Sequence, residues 1–488
     1  MNTQEEQVRR GSHAISGDQE FSWVLLWTII GAVLPGAGLI AAGHRRAGRL
    51  VLAALGLTGV ATVGLVLSGN VVERGLTLAV NPRLLLAVAI GVAVVAVLWA
   101  ALILITNRYL REQAALSPAQ RGFSTVLVLA LIAAVALPGV KIGQYALIQR
   151  SVVSSDSVFQ GGGSRPNVEK PDPWAGRPRM NVLLIGSDAG PGRQALRADS
   201  LVLASIDTRS GNTVLLSLPR NLQKVPFAAG SPGARAWPNG YDCGPKCMIF
   251  AIWRWAAEEG GRRYYHGPQA GLRATEDAVE GVTGLKVDTY VMLNLKGFRD
   301  FVDAIGPITV NVSEDLPIGG NSTRPVALDW IRKGRNQKLD GYHALWFARS
   351  RWSTSDYSRM QRQRCVIGAV VKKAVPATLA ANFPSIARAL KGILTTGIAA
   401  DDLPAWVDLS LRIKQARVTS LPFTDEVISR ADPDYPRIHR LIRAAISAST
   451  RPATSSATPA ASSPTPAATR KPARTRSAAT AQDLAAVC

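Results

Sequence analysis

The chain has 488 residues, 47% of them hydrophobic, and a formal net charge of +22. The length suits two or three structural units, and the charge suits anionic lipid, phosphate-bearing ligands or nucleic acid. The apolar residues are concentrated between residues 21 and 148, which excludes a uniformly soluble protein.

Four apolar segments, at about 21–42, 50–68, 84–106 and 123–140, are each long enough to cross the ~30 Å hydrocarbon core as a helix. The first twenty residues mix Glu5, Glu6, Asp18 and Glu20 with Arg9 and Arg10, which is not a signal-peptide pattern. Loop one carries Arg45, Arg46 and Arg49, and loop three carries Arg108, Arg111 and Arg121. The N-terminal tail and loop two have Arg9 and Arg10, and Arg74 and Arg83. The bias favours loops one and three inside, so the N-terminus and everything after Val140 are expected outside. Pro35-Gly36 allows a rival arrangement, a re-entrant hairpin followed by three spans, which reaches the same outside C-terminus from an inside N-terminus. A four-span chain with its N-terminus inside would instead put the large domain inside.

Residues 149–179, with Gly161-Gly162-Gly163 and Pro166, Pro171, Pro173 and Pro178, read as a linker. Residues 446–488, rich in Ala, Pro, Ser and Thr, read as a disordered tail. Between them, residues 180–445 form a domain. Asn181–Ile185, Ser200–Ile206 and Thr213–Leu218 are apolar runs that read as strands. The turn-rich Asp207–Asn212 makes a hairpin of the last two. Ala274–Val282 and Lys296–Ala304 read as helices, and Val287–Leu293 and Ile308–Val312 as strands. Asp340 caps a helix over Gly341–Ala348 and Asp356 another through Lys373. The alternation predicts an α/β domain whose sheet is covered by helices.

A hairpin turn centred between Arg209 and Ser210 places Asp199 opposite Arg220. If the first strand pairs antiparallel to the second, Asp188 ends at the same edge, and Asp188, Arg197, Asp199 and Arg220 converge there. Two carboxylates beside two arginines suit magnesium on phosphate oxygens; a surface ion-pair cluster is the plainer reading. Downstream, Arg349 and Arg351 share a side if Trp346–Arg351 is extended. Arg359, Arg362 and Gln363 share a helix face beside Met360, Ile367 and Val371. Arginine forks match phosphate oxygens, so this pattern suggests a diphosphate site with an apolar neighbour, against the plainer reading of a solvated helix face.

Cys243, Cys247, Cys365 and Cys488 form a poor zinc set. Outside the cell, disulfides among Cys243, Cys247, Cys365 and Cys488 are expected; three full pairings stay open, as does a set of buried thiols. No Gly-x4-Gly-Lys-Ser/Thr, His-Glu-x2-His or Gly-x-Ser-x-Gly motif occurs, which argues against a nucleotide-driven motor, a zinc protease and a serine hydrolase.

Five stretches in order, Asn181–Asp188, Arg197–Ser200, Leu216–Arg220, Leu339–Arg351 and Asp356–Gln363, together resemble the LytR-CpsA-Psr (LCP) family of cell-wall glycopolymer ligases, and Gly240–Cys247 is similar to its actinobacterial branch. The resemblance implies an extracytoplasmic α/β domain with a central mixed sheet. It implies transfer of a polyprenyl-pyrophosphate-linked glycan to peptidoglycan through a phosphodiester, with Mg2+ (or Mn2+) as cofactor. It places Asp188 and Asp199 at the metal, and Arg197, Arg220, Arg349, Arg351, Arg359, Arg362 and Gln363 around the pyrophosphate, with Arg197, Asp199 and Arg220 catalytic. Asn221 stands where the family often has Asp, and the usual Lys-Ile-Asn-Ala stretch is not present as such. The expected partners are the lipid-linked glycan, peptidoglycan and the membrane. A non-catalytic binder of lipid pyrophosphate is the competing class. A nucleic-acid-binding regulator requires the domain inside and has no supporting motif, so no nucleic-acid partner is expected.

Overall fold

The computed structural model describes residues 16–67, 75, 78–156, 158–168, 170, 172–187, 198–320, 326–350, 353, 355–373, 385–386, 389, 394–423, 427–450, 481–483 and 488. The chain divides into two compact units, Met1–Val153 and Ser154–Cys488.

In the first unit, helices α1 (Ser16–Val33), α2 (Ala37–Ala41), α3 (Arg45–Leu67), α4 (Pro82–Glu112) and α5 (Pro118–Val153) follow one another. The first expected span is not one helix. Pro35 cannot supply an amide to continue α1, and Gly36 takes a left-handed φ of 103° at the N-cap of α2. Gly38 then lies so close to Thr106 that a Cβ there would meet its methyl at 2.3 Å. Polar bonds fix the hairpin against the longer helices: Trp99 Nε1 donates to the Ala32 carbonyl at 2.9 Å, and Asn107 Nδ2 donates to Thr28 Oγ1 at 3.0 Å and Ser124 Oγ at 2.9 Å. Among the described residues, three helices are long and apolar enough to cross a membrane, at Arg45–Gly64, Pro82–Glu112 and Pro118–Val153. Their outward side chains are bare, with Leu57 and Val60 at 73% and 72% exposure, as lipid-facing positions require.

The second unit is built on a seven-stranded mixed sheet. Strands β1 (Arg179–Ser187), β2 (Ala198–Asp207), β3 (Thr213–Leu218), β4 (Thr289–Asn294), β9 (Leu394–Thr396), β10 (Val418–Pro422) and β11 (Gln482–Asp483) take the order β11-β10-β3-β2-β1-β4-β9. β1–β2–β3 is an antiparallel meander, with β10 parallel to β3 and β4 parallel to β1. Thus β1, β3, β4 and β10 all point to one edge. The hairpin register is the expected one, with Leu201 opposite Leu218 and Ile206 opposite Thr213. Between β1 and β2 it shifts by a bulge: Gly186 pairs with Ser200, and Ser187 with Ala198, so Asp199 is the extra residue.

Strand alternation sends side chains to both faces. Leu183, Leu201, Leu203 and Leu216 meet helices α6 (Ala270–Thr283) and α11 (Tyr435–Ser449) on one face. Val182, Val202, Ala204, Ile206 and Leu215 face α10 (Leu403–Gln415) on the other. A smaller core joins α7 (Leu295–Ile305), α8 (Gly341–Arg349) and α9 (Asp356–Lys373) to β5 (Ile308–Val312), β6 (Leu316–Ile318), β7 (Asp329–Ile331) and β8 (Gly334–Leu339).

Two expectations change at the borders. The segment read as a linker is packed on the domain. Trp174 is buried and meets Trp406 edge-to-face at 5.1 Å, Phe159 bridges to Thr396, and Arg165 makes a bidentate pair with Asp402. Its glycines serve close approach: a Cβ on Gly163 would meet Thr289 Oγ1 at 2.6 Å. The stretch read as a disordered tail sends Gln482, Asp483 and Cys488 back into the fold.

Candidate active site

The common edge of β1, β3, β4 and β10 is where ligands sit in open α/β sheets, outside the carboxyl ends of parallel strands. Arg220 stands there in the turn that leaves β3. Its carbonyl accepts from Phe250 N at 3.2 Å, and its guanidinium lies 4.5 Å from the centroid of the Phe250 ring. A cation over an aromatic face is attracted by the ring's negative face.

Ser187 and Ala198, register partners at this edge, flank Asp188 and Arg197, which lie outside the described residues. Asp199 occupies the bulge. Three oxygens are buried at this end with no hydrogen-bond partner among the described residues: Ser187 Oγ, Ser217 Oγ and Asn221 Oδ1. Buried polar atoms are normally paired, so such a group signals a ligand or ion. Asn221 is one of the two places where the sequence departs from the pattern of the family it resembles.

The helical residues fall into two groups. Gln363 reaches the sheet: Ser200 Oγ donates to its Oε1 at 3.2 Å, and its Nε2 donates to the Ala348 carbonyl at 3.3 Å. Arg362 turns inward. Its Nε donates to the Phe347 carbonyl at 2.8 Å and its Nη2 to the Ser350 carbonyl, pinning the end of α8, while Nη1 lies 3.8 Å from Glu314. Burial pushes its pKa down to about 10, with Arg359 adding to the fall against Glu314. Arg359 is also buried. Both arginines therefore belong to a low-dielectric interior, where charge contacts are strong.

Arg349 is not at the start of a strand. Asp340 caps α8 by accepting from His343 N at 2.9 Å, and the helix runs through Arg349, whose guanidinium lies 5.3 Å from the Trp346 ring. Ser350 is extended, and Arg351 lies outside the described residues. The shared side of Arg349 and Arg351 expected from an extended stretch is replaced by a helix end, since Ser350 N still donates to the Trp346 carbonyl at 2.8 Å and keeps Arg349 in the last turn of α8.

Arg364 was not anticipated. It is 6% exposed and donates from Nη1 to Ser420 Oγ at 3.1 Å, tying α9 to β10. One helical step from Gln363 rotates it about 100°, which the Arg-Gln-Arg run could have signalled.

Under α9 and α10 lies an apolar groove of about 890 Å³. Its floor includes Val182, Leu184, Ala204 and Leu215, and Ile367 and Trp406 come from the two helices. The sheet edge and the groove thus share one helix: Gln363 in the first half of α9 meets Ser200 at the edge, with Arg359 and Arg362 buried beside it in the same helix, and the second half lines the groove with Ile367 and Val371.

Two disulfides form, Cys243–Cys247 and Cys365–Cys488. The first closes the Gly240–Cys247 loop; the second joins α9 to residues beyond 480.

The chain is similar in sequence to several known proteins. Biofilm regulatory protein A of Streptococcus mutans is 25% identical over 250 residues, 50% of this chain and 56% of that protein. A polyisoprenyl-teichoic acid–peptidoglycan teichoic acid transferase, TagU of Enterococcus faecalis, is 24% identical over 293 residues, 59% of this chain and 82% of that one. The crystal structure of Bacillus subtilis TagV aligns with a TM-score of 0.39 at 22% identity, covering 55% of this chain and 95% of that one. The match to the first of these relatives spans little more than half of its length. The LytR_cpsA_psr family model matches residues 164–435, from the strap before β1 to the start of α11, and the chain belongs to that family.

Proposed function

We propose that the protein is a phosphotransferase that moves a glycopolymer from a polyprenyl pyrophosphate carrier to a peptidoglycan hydroxyl, forming a phosphodiester and releasing polyprenyl phosphate. The observation that carries this reading is the continuity of an arginine-bearing sheet edge with an apolar groove along one helix, α9. A lipid pyrophosphate is the ligand class with a dianionic head next to a long hydrocarbon tail. Relatives named as polyisoprenyl-teichoic acid–peptidoglycan teichoic acid transferases support the same class of reaction.

In this reading Arg220, with Arg197, Arg349 and Arg351, holds the pyrophosphate at the edge, and Gln363 orients it. Arg359 and Arg362 supply a fixed positive field from behind. Phosphoryl transfer depends on positioning and charge stabilisation. The acceptor hydroxyl attacks the phosphorus of the glycan-linked phosphoryl. The bond to the bridging oxygen breaks, and the electron pair leaves on polyprenyl phosphate. The hydroxyl proton passes to Asp199 or Asp188. Water in place of the sugar gives pyrophosphate hydrolysis as a side reaction.

Among the described residues no three His, Cys, Asp or Glu side chains converge. The partnerless oxygens of Ser187 and Asn221 at the edge are hard donors that suit magnesium, which binds oxygen ligands and takes few carboxylates beside substrate phosphate. Asp188 and Asp199 would hold Mg2+ (or Mn2+), with Ser187 and Asn221 beside them. When bound, the ion supplies neutralisation of the pyrophosphate charge.

The folded-back first segment supports placement of the catalytic domain outside a multi-pass cell membrane. With three crossings, Arg9, Arg10, Arg45, Arg46, Arg49, Arg108, Arg111 and Arg121 fall on one side, against Arg74, Arg83, Lys141 and Arg150 near the membrane on the domain's side. That bias is larger than the four-span count and puts the arginine-rich side in the cytoplasm. The two disulfides suit an oxidising exterior.

The test is transfer by the full chain in detergent, with a polyprenyl-pyrophosphate glycan, a peptidoglycan fragment and magnesium, read by mass spectrometry of the phosphodiester. Binding of the donor without any product would replace the ligase with a binder.

A further inference from the structure

In the first unit, the end of α4 and the start of α5 border a cavity of about 720 Å³. Its lining changes in kind along both helices. On α4, Leu104, Arg108 and Arg111 follow one another at spacings of four and three, and on α5 Arg121, Thr125 and Val128 do the same, so each set shares a helix face. From Arg111 back to Leu104, and from Arg121 on to Val128, is roughly 10 Å along a helix in each case. Both walls therefore pass from guanidinium to hydrocarbon over the same depth. Past these arginines each helix runs on without a charged residue, over 84–107 and 122–140. The cavity thus lies where charged helix ends give way to a stretch of membrane-spanning length.

The guanidinium of Arg111 is aimed without being neutralised. Its Nε donates to Ser124 Oγ at 3.1 Å and its Nη2 to Thr125 Oγ1 at 2.8 Å. Ser124 Oγ also accepts from Asn107 Nδ2, and Thr125 Oγ1 donates to the Arg121 carbonyl at 2.9 Å. These hydroxyls fix the fork and leave its charge. Two carboxylates lie nearby. Glu112 accepts from Arg108 Nε at 3.1 Å in an exposed pair, and Glu20 accepts from Ala115 N at 3.1 Å in the loop between α4 and α5. Glu112 alone is set against Arg108, Arg111 and Arg121 in the lining, which leaves the cavity positive. Like charges gathered in this way repel one another and favour an anion among them.

We propose that this cavity binds an anionic glycerophospholipid, with the headgroup phosphate between Arg111 and Arg121 and an acyl chain along Leu104 and Ile105. Charge complementarity selects the headgroup. The apolar inner half selects a lipid over a free phosphate: Leu104 and Ile105 are 51% and 43% exposed, and Val128 is buried behind them. A basic pocket between membrane helices at headgroup level is a recurring form of lipid site. The site uses no residue of the candidate active site and does not depend on the phosphotransferase reading.

The experiment uses the full chain, delipidated in mild detergent, and reads binding by native mass spectrometry. The probes are phosphatidylglycerol, phosphatidylcholine with the same acyl chains, and glycerol phosphate. The wild type is expected to retain phosphatidylglycerol at concentrations where it retains neither of the others. Arg111→Gln and Arg121→Gln should each weaken phosphatidylglycerol about fivefold or more and leave phosphatidylcholine unchanged. Arg111 also ties α4 to Ser124 and Thr125, so Arg121→Gln, at an exposed position, decides the matter should Arg111→Gln fail to fold. Arg49→Gln removes an exposed arginine of α3 outside the cavity and should bind as the wild type does. Equal retention of the two lipids would make the cavity an apolar groove without headgroup choice and overturn the proposal. Glycerol phosphate bound as tightly as phosphatidylglycerol would make it a site for free phosphate and overturn the lipid. Equal losses in Arg49→Gln and Arg121→Gln would trace binding to diffuse surface charge, and wild-type affinity in Arg121→Gln would remove the site; either overturns the proposal.

Discussion

Ser200 Oγ donates to Gln363 Oε1 at 3.2 Å, joining the first residues of β2 to the arginine-bearing helix α9. This bond sets the distance between the sheet edge, where Arg220 stands, and the helix that lines the groove. Gln363→Ala frees α9 from β2 and is predicted to lower transfer roughly tenfold, with Ser200→Ala giving a similar loss. The double variant should be little worse than either single one, since both remove one bond. Additive losses in a double-mutant cycle would show that the pair does not act as a unit.

Arg220→Ala removes a cation held over Phe250 at the edge. The loss of one well-aimed charge contact costs on the order of 3 kcal/mol in barrier, roughly a hundredfold. Arg220 is half-buried in the turn and outside the main core, so the thermal melt should stay within a few degrees of wild type. Lysine should restore little, because a point charge does not reproduce the fork. Undiminished transfer by a well-folded Arg220→Ala protein contradicts the assignment.

Arg362 predicts the opposite pattern. Its guanidinium bonds the Phe347 and Ser350 carbonyls, and Arg362→Met leaves both acceptors buried and unmet. The expected cost is ~2–3 kcal/mol of stability. Chemical denaturation should register it as a lower midpoint with an unchanged slope.

Glu276, on α6, has its pKa raised to about 7 by burial, with Asp277 and Glu280 adding to the rise against Arg273. A folded-state value above the unfolded one means that the native state holds an extra proton between the two. Stability is full below about pH 4.5 and falls as pH rises to about 7, by about 3 kcal/mol at most. Glu276→Gln should flatten that fall in denaturation series taken from pH 5 to pH 8. A variant with the wild-type slope would remove Glu276 as its source.

Val291 of β4 is half-buried and lines the groove. Val291→Trp should fill part of the space and weaken binding of a long-chain polyisoprenyl phosphate by about tenfold or more. The melt should change little, because the ring enters existing volume. Isothermal titration with the phosphate checks both affinity and stoichiometry.

Much of the sheet could be read from local signals. β1, β2 and β3 are apolar runs bounded by Gly or turn residues, and the Asp207–Asn212 turn sets the hairpin register. α9 (Asp356–Lys373) and β5 (Ile308–Val312) lie where the sequence put them, although Ser355, whose Oγ accepts from Ser358 N at 3.1 Å, caps α9 in place of Asp356. The groove was not legible. Val182 and Leu215 look the same in sequence whether they floor a groove or fill a core, because the difference lies in how far α10 stands from the sheet. Arg362 shares its spacing with ligand arginines, yet its bonds go to carbonyls of α8, a tertiary contact that periodicity does not report. The packed strap around Trp174 was hidden by its Gly and Pro content, which marks turns whether or not a segment is fastened down. The return of Cys488 depends on a partner far away in the chain, and cysteine spacing alone leaves the pairings open.

The bulge at Asp199 makes β2 a strand with two phases. Leu201 and Leu203 face the core shared with α6, and by simple alternation Ala198 would face the groove; it lies instead in the same core as Leu201. Asp199 is therefore the point at which inside and outside exchange along the strand. Side-chain substitution there leaves this arrangement alone, whereas deleting Ala198, which carries no polar side chain, would shift every residue that precedes it by one position against β1. The arrangement of the edge thus depends on a count of residues as well as on their identities, and a sequence change that keeps every polar group can still dismantle it.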